Sequence, residues 1–314
     1  MNSRAKDFGL LILLAALWGP SFMFIKIAVA EISPMLLAGL RIGLAAIFLN
    51  VFLLLRSNYL STDRTFWKHV AISGFFAQGL PFILINWGEQ HIGSGLASVL
   101  NGLTPLSTVL LAHLAIDNEK LSMQKLIGIL FGFFGLIILS FPSLTNGFNS
   151  SILGILAVTV GAMSYGAGVV YARLFLKGSK PMHAPAGQLL STALYILPLG
   201  LLLDNNTDLT TLSTEAISSV LVLAFFGTTV AFVVYFNLLE RTSASFVSLV
   251  TYLMPIFGII LGVIFLNEVV SLYTFGGLLL IFLGVVISDN RFAKYFKKPI
   301  DPPMVCQTEE LITK

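Results

Sequence analysis

The chain is poor in the residues on which most soluble enzymes and metalloproteins depend. Of 314 residues only 11% are charged, four are His and a single one, Cys306, is Cys. One thiol cannot close an intramolecular disulfide, and no Cys/His group has metal-ligand spacing, so neither a metal centre nor another cofactor is expected. No His-x-x-x-Asp, Gly-x-Ser-x-Gly or His-Glu-x-x-His arrangement falls within an apolar span. Intramembrane catalysis needs a clustered nucleophile and base or a carboxylate pair, and is therefore a remote alternative. The formal net charge of +3 is too small to argue for a nucleic-acid partner.

What the chain has in excess is apolar surface. At 56% hydrophobic residues and a mean hydropathy of +0.92, it is too apolar for a water-soluble globule of this length and reads as an integral membrane protein. A bilayer core needs roughly 20 apolar residues per helix. On that rule ten spans are expected, near residues 8–30, 34–55, 68–88, 92–115, 122–141, 152–172, 185–203, 217–238, 243–266 and 271–289. The expected fold is all-α. The amino end, with Arg4 and Lys6 before an apolar run, is read as a first span and not a cleaved signal peptide, because the run is too long and Lys26 interrupts it.

Basic residues orient these spans. Starting from the cytoplasm, sixteen of the eighteen Lys and Arg fall on inner segments, and the other two, Lys26 and Arg41, lie within spans. Outer loops carry Glu31, Glu89, Asp204, Asp208, Glu215 and Glu268 instead. Both termini are expected on the cytoplasmic side of the membrane, residues 1–7 as a short lead and 290–314 as a basic, solvated tail.

One stretch occurs twice. Ser94 to Glu119 and Ser245 to Glu268 each hold an apolar helix with a central proline, and Ser98/Ser248 and Pro105/Pro255 share an offset of 150. Phe75-Phe76 and Phe82 recur at the same offset as Phe225-Phe226 and Phe232, while Gly128 and Gly135 fall on Gly277 and Gly284. Five spans per half is an odd number, so two homologous halves must insert in opposite orientations. The expected units are 8–141 and 152–289, joined by an outer linker at 142–151.

Leu17-Trp18-Gly19-Pro-Ser-Phe22 with Lys26, Leu40-Arg41, Leu103-Thr104-Pro105 closing at Asn118-Glu119, and Met254-Pro255 closing at Leu266-Asn267-Glu268 resemble the two EamA domains of the drug/metabolite transporter superfamily. The resemblance covers residues 8 to 289 and departs from the family at Pro20, a place usually held by a small polar residue. It implies a ten-helix secondary transporter with a central cavity, a small-molecule substrate and the lipid bilayer as partners, and no enzymatic activity. The expected substrate is a small amphipathic metabolite, an amino acid or related carboxylate, moved outwards by alternating access. A broad drug exporter or a passive facilitator is the alternative. The expected form is a monomer, with a dimer as the other possibility, and protons are a candidate coupling ion.

Polar side chains in lipid are costly and belong on a cavity or in the bundle interior. At helical spacing, Gln78, Phe82, Ile85 and Glu89 share a face, matched by Thr228, Phe232, Tyr235 and Leu239, and Asn101 and Thr251 each stand one turn before a proline. Candidate substrate contacts are therefore Arg41, Gln78, Asn101, Thr228, Tyr235 and Thr251, with Trp18, Phe22, Phe82, Tyr165, Phe232 and Tyr252 as aromatic walls. Arg41 should pair with Glu31, with Glu89 or with an anionic group on the substrate, since it cannot shed its charge. Lys26 either snorkels or acts with its counterpart Arg173 as a gating cation at the opposite mouth. Glu89 and His91 are the titratable candidates for coupling. Glu119 and Glu268 are expected to be structural, each meeting the amino end of the next helix.

Overall fold

A computed structural model describes residues 3–117, 119–145, 152–180, 182–204, 207–254, 256–257 and 272–288, and every regular element among them is helical. Pro255, Glu268 and the tail from 289 onwards lie outside the described residues, as does 146–151 of the expected linker. Six helices are long and apolar enough to cross a membrane: Ala5–Ala28, Pro34–Leu55, Arg64–His91, Ile152–Phe175, His183–Leu203 and Thr214–Arg241. Four shorter apolar helices accompany them, Thr104–Ala115, Met123–Ile138, Ala244–Met254 and Phe275–Ser288. Their outward faces are apolar, with Leu114 80%, Leu202 77% and Leu272 87% exposed. Water would penalise such a surface and hydrocarbon does not.

The helices begin where the chain supplies an acceptor or a proline. Asp63 takes the N–H of Thr65 at 3.0 Å, Ser213 that of Ala216 at 3.1 Å and Ser243 that of Phe246 at 3.1 Å, which satisfies orphan donors in the first turn. The first span is broken. Helix α1 (Ser3–Trp18) ends at Gly19-Pro20 and α2 (Ser21–Ala28) starts after it, because Pro20 has no N–H to continue the ladder. The close approach there requires glycine: a Cβ on Gly19 would stand 2.7 Å from the Met254 carbonyl and 2.8 Å from Phe257 Cβ. Helix α3 (Pro34–Leu55) follows without interruption.

The third span, expected from residue 68, already starts at Arg64. It runs as α4 (Arg64–Gly74), a π turn at Phe75–Gly79 and α5 (Leu80–His91). The fourth breaks between α6 (Ser94–Asn101) and α7 (Thr104–Ala115), where Pro105 occupies the first turn of the restarted helix. Helices α8 (Met123–Thr145), α9 (Ile152–Phe175) and α10 (His183–Leu203) come next. A second π turn, Phe225–Val230, separates α11 (Thr214–Ala224) from α12 (Ala231–Arg241), and α13 (Ala244–Ser248) and α14 (Leu272–Ser288) complete the described chain. The two π turns begin 150 residues apart, at Phe75 and Phe225.

A π turn widens the helix and frees carbonyls from their usual partners. In the second turn, Thr228 and Thr229 return their hydroxyls to the carbonyls of Leu223 and Ala224 at 2.8 and 2.9 Å. In the first, Ser164 Oγ donates to the Phe76 carbonyl at 2.8 Å. The strongest helix pairings are α8 with α14, α3 with α10, and α9 with both α5 and α7.

Glu31 does not approach Arg41. Its carboxylate accepts from Ser213 N at 2.8 Å and Ser213 Oγ at 2.5 Å, tying the α2–α3 connector to the start of α11. These bonds hold the Glu31 carboxyl below the usual carboxylate range. A lowered folded-state value means that the tie is intact at neutral pH and is lost as pH falls through that value. Melting temperatures followed from neutrality to below about pH 4 should therefore show an acid-dependent loss in the wild type that is smaller in Glu31→Gln.

Candidate substrate-binding site

Between α1/α2, α3, α5, α9, α12 and the two proline-bearing segments lies a cavity enclosing about 770 Å³ of non-protein space, its open mouth included. Its walls are mainly apolar and aromatic. Phe82 and Tyr165 form one edge-on pair with centroids 6.3 Å apart, while Trp18 stands 6.2 Å from Phe232 and 6.0 Å from Tyr235. Phe22, Ile25, Ile85, Val169, Val247, Val250 and Met254 fill the remainder.

Polar groups in the lining are Ser21, Arg41, Asn101, Thr104, Ser248 and Thr251, together with the phenols of Tyr165 and Tyr235. Asn101 Oδ1 and the Tyr235 hydroxyl are buried with no protein partner. Burying such atoms unpaired costs roughly 1–3 kcal/mol each, a cost that a polar ligand in the cavity would remove.

Arg41 is the charged residue among the described lining residues. Only 4% of it is exposed. Its Nε donates to Thr228 Oγ1 at 2.8 Å and a terminal nitrogen donates to the Gly227 carbonyl at 3.1 Å, with Cζ 4.0 Å from the centre of the Phe82 ring. Trp18 Nε1 donates to the same Gly227 carbonyl at 2.9 Å. The carbonyl loosened by the π turn thus becomes the anchor for both the indole and the guanidinium. Among the described residues, no carboxylate lies within ion-pair distance of Arg41. The expected partner Glu31 is engaged with Ser213, and Glu89 offers it no hydrogen bond.

Nine of the twelve expected contacts are brought together here: Trp18, Phe22, Arg41, Phe82, Asn101, Tyr165, Phe232, Tyr235 and Thr251. Three stand outside the lining. Gln78 donates to Gln188 Oε1 at 2.7 Å, and Gln188 in turn donates to Ser73 at 2.6 Å, a buried chain joining the third span to α10. Thr228 is spent on Arg41 and on Leu223. Tyr252 is fully buried and donates to the Ile129 carbonyl at 3.0 Å. Ten further lining residues were not among the expected contacts, the polar ones being Ser21, Thr104 and Ser248, and the rest Ala77 and the aliphatic or thioether side chains of Ile25, Ile85, Val169, Val247, Val250 and Met254. Of these Thr104 and Ser248 carried a signal, since Thr104 adjoins Pro105 in the repeated segment and Ser248 belongs to its second copy.

The two cations set apart as gates occupy matching places. Lys26 Nζ donates to the Glu89 carbonyl and, at 3.3 Å, to that of Ile92, closing the carboxyl end of α5. Arg173 donates to the Leu239 carbonyl and, at 3.5 Å, to that of Glu240, closing the carboxyl end of α12. A cation there is favoured by the helix dipole. Arg173 also pairs with Glu119 at 3.5 Å. Glu119 itself accepts from Ala244 N at 3.1 Å and Ser245 N at 3.4 Å. It therefore caps α13, which is distant in sequence, and not the helix that follows it as expected. His91 is exposed and bonded to the Trp87 carbonyl at 2.8 Å. Glu89, expected at a hydrated outer edge, is wholly buried.

Membrane-crossing helices around an interior, aromatic-walled cavity with a few polar groups define an integral membrane protein of the transporter class. The EamA-like transporter family model matches residues 8–141 and again 152–288, and the chain belongs to that family, within the drug/metabolite transporter superfamily. It is 27% identical over 279 residues to the Bacillus subtilis protein named "Uncharacterized transporter YoaV", covering 88% of this chain and 94% of that one. It is 28% identical over 285 residues to an Archaeoglobus fulgidus transporter, with 90% and 98% covered. A third relative, 28% identical over 303 residues with 94% and 98% covered, is the Escherichia coli protein named "Probable amino-acid metabolite efflux pump". A solved crystal structure matches the fold with a TM-score of 0.74 at 19% identity, covering 94% of this chain and 99% of the other.

Proposed function

We propose that the protein is a secondary carrier that moves a small amphipathic carboxylate, an amino acid or close relative, out across a bacterial inner membrane. One observation supports this most: a buried guanidinium in the cavity wall, hydrogen-bonded only to neutral groups and with no carboxylate of the described residues within ion-pair distance. A planar fork of donors suits a substrate carboxylate. Asn101 and Tyr235 would take its polar atoms and the aromatic walls its side chain. The outward direction and the amino-acid class are supported by the name of the Escherichia coli relative.

Six long and four shorter apolar helices support a ten-span topology. The matching π turns and the matching Lys26 and Arg173 contacts support two inverted halves, residues 8–141 and 152–289. Basic inner segments support cytoplasmic termini. In this reading Lys26 and Arg173 latch opposite mouths, and alternating access releases one while the other holds. The broken helices and π turns give the third, fourth, eighth and ninth spans places to bend.

Binding can be tested without knowing the direction of transport. A ligand present at 100 times its Kd stabilises the folded state by about 2.7 kcal/mol. Thermal melting of the purified protein against amino acids and other monocarboxylates should show an upward shift for at least one. Shifts confined to cationic or uncharged solutes would contradict the assignment of Arg41.

A further inference from the structure

Glu89 and Asn86 form a second polar feature, apart from the lining of the cavity. They stand three residues apart on α5, which places their side chains as neighbours on one helical face. Glu89 is 0% and Asn86 1% exposed. Both carboxyl oxygens of Glu89, and Oδ1 of Asn86, lack a hydrogen-bond partner. The Asn86 amide is oriented by its donation to the Pro34 carbonyl at 3.0 Å, which directs Oδ1 away from that contact. Three acceptor oxygens carried on one face of α5 are thus buried without a donor.

Arginine and lysine do not supply it. The elements packed against α5 are α2, α3, α6, α9 and the first π turn. Facing Glu89 are Lys26 from α2 and Arg41 from α3, with Tyr165 of α9 beside Arg41. Lys26 is committed to backbone carbonyls and Arg41 to Gly227 and Thr228. The other ionisable groups of α9 are engaged elsewhere, Tyr171 with His69 and Arg173 with Glu119. His91, on the same helix, is exposed and bonded to Trp87. The described part of α6 and the π turn contribute no ionisable side chain.

We infer that Glu89 and Asn86 form a proton-binding site, in which the carboxylic acid donates its O–H to Asn86 Oδ1 and release of that proton to water works the Lys26 latch. Burial of an unpaired carboxylate is far costlier than burial of the hydrogen-bonded acid. One proton on Glu89 supplies the donor that this cluster lacks. When the proton leaves, the carboxylate becomes the strongest acceptor near Lys26 and draws Nζ from the Glu89 and Ile92 carbonyls, which opens the carboxyl end of α5. The proton comes from bulk water and returns to it, with no other bond made or broken. That this switch drives solute movement rests on the carrier reading above; the existence of the site does not.

Infrared difference spectra of the full chain in lipid vesicles, recorded across a pH titration, test the site directly. The wild type should show the C=O stretch of a protonated carboxylic acid that disappears as pH rises. Glu89→Gln should lack this band, and Asn86→Leu should shift its frequency by removing the acceptor, so either variant is informative if the other fails to fold. Spectra in which Glu89→Gln and wild type lose the same band would overturn the proposal. So would a band removed by adding sodium chloride at constant pH but not by choline chloride, which would make the site one for a metal cation. Because no solute is involved, these outcomes are independent of whether the carboxylate-transport reading stands.

Discussion

Arg41→Gln is expected to weaken binding of a carboxylate solute by about 30-fold or more while leaving the helix bundle folded. Truncating one member of a buried hydrogen-bonded charge pair costs about 2–5 kcal/mol, and each 1.4 kcal/mol is tenfold in affinity. The unliganded protein should lose little, because the guanidinium is buried among neutral partners and its removal relieves a desolvation cost. Trp18 still donates to the Gly227 carbonyl in the variant, and Thr228 still donates to Leu223. Arg41→Lys keeps the charge without the planar fork and should fall between the two. Melting temperature with and without ligand separates the effects: an unchanged baseline with a lost ligand shift marks a binding role, whereas a lowered baseline marks a structural one.

Gly284→Leu should instead prevent assembly. Helices α8 and α14 meet backbone to backbone, and a Cβ on Gly284 would lie 2.5 Å from the Gly128 carbonyl and the Gly132 nitrogen. On the opposite side of the contact, a Cβ on Gly135 would lie 2.7 Å from the Gly277 carbonyl. These obstacles are main-chain atoms, so no rotamer change makes room and the helices must separate. Overpacking typically costs about 1–3 kcal/mol and more where nothing can yield, a large part of a domain's net stability. Gly9→Leu is the matched control, since a Cβ there meets nothing within 4 Å. Recovery of monodisperse protein and melting temperature in detergent should fall sharply for the first and little for the second.

The same glycine contacts show how far sequence reading reached. Gly128 and Gly135 recur in the sequence as Gly277 and Gly284, and these glycines are where α8 and α14 meet backbone to backbone. The cavity walls were legible where ordinary helical spacing holds: Phe82 follows the first π turn and Phe232 and Tyr235 the second, and all three line the cavity. Gln78 and Thr228 sit inside the π turns. A widened turn shifts the phase of a helical stripe by about one residue, so Ala77 lines the cavity where 3.6-residue periodicity had placed Gln78. Nothing in composition signals a π turn. Tyr252 failed for a simpler reason, because consecutive helical residues face different ways: Thr251 lines the cavity while Tyr252 packs between helices. The buried state of Glu89 was hidden by its charge, which made it look like a loop residue, although its helix continues to His91.

The assignment of a carboxylate carrier centred on Arg41 meets its most direct test in vesicles. Purified wild-type protein and Arg41→Gln, reconstituted at equal density, would be compared for uptake of radiolabelled amino acids under a solute gradient. Expected is saturable flux of at least one amino acid through the wild type, reduced about 30-fold or more in Arg41→Gln at low solute concentration. Flux that does not saturate, or that is equal in the two proteins, would contradict it.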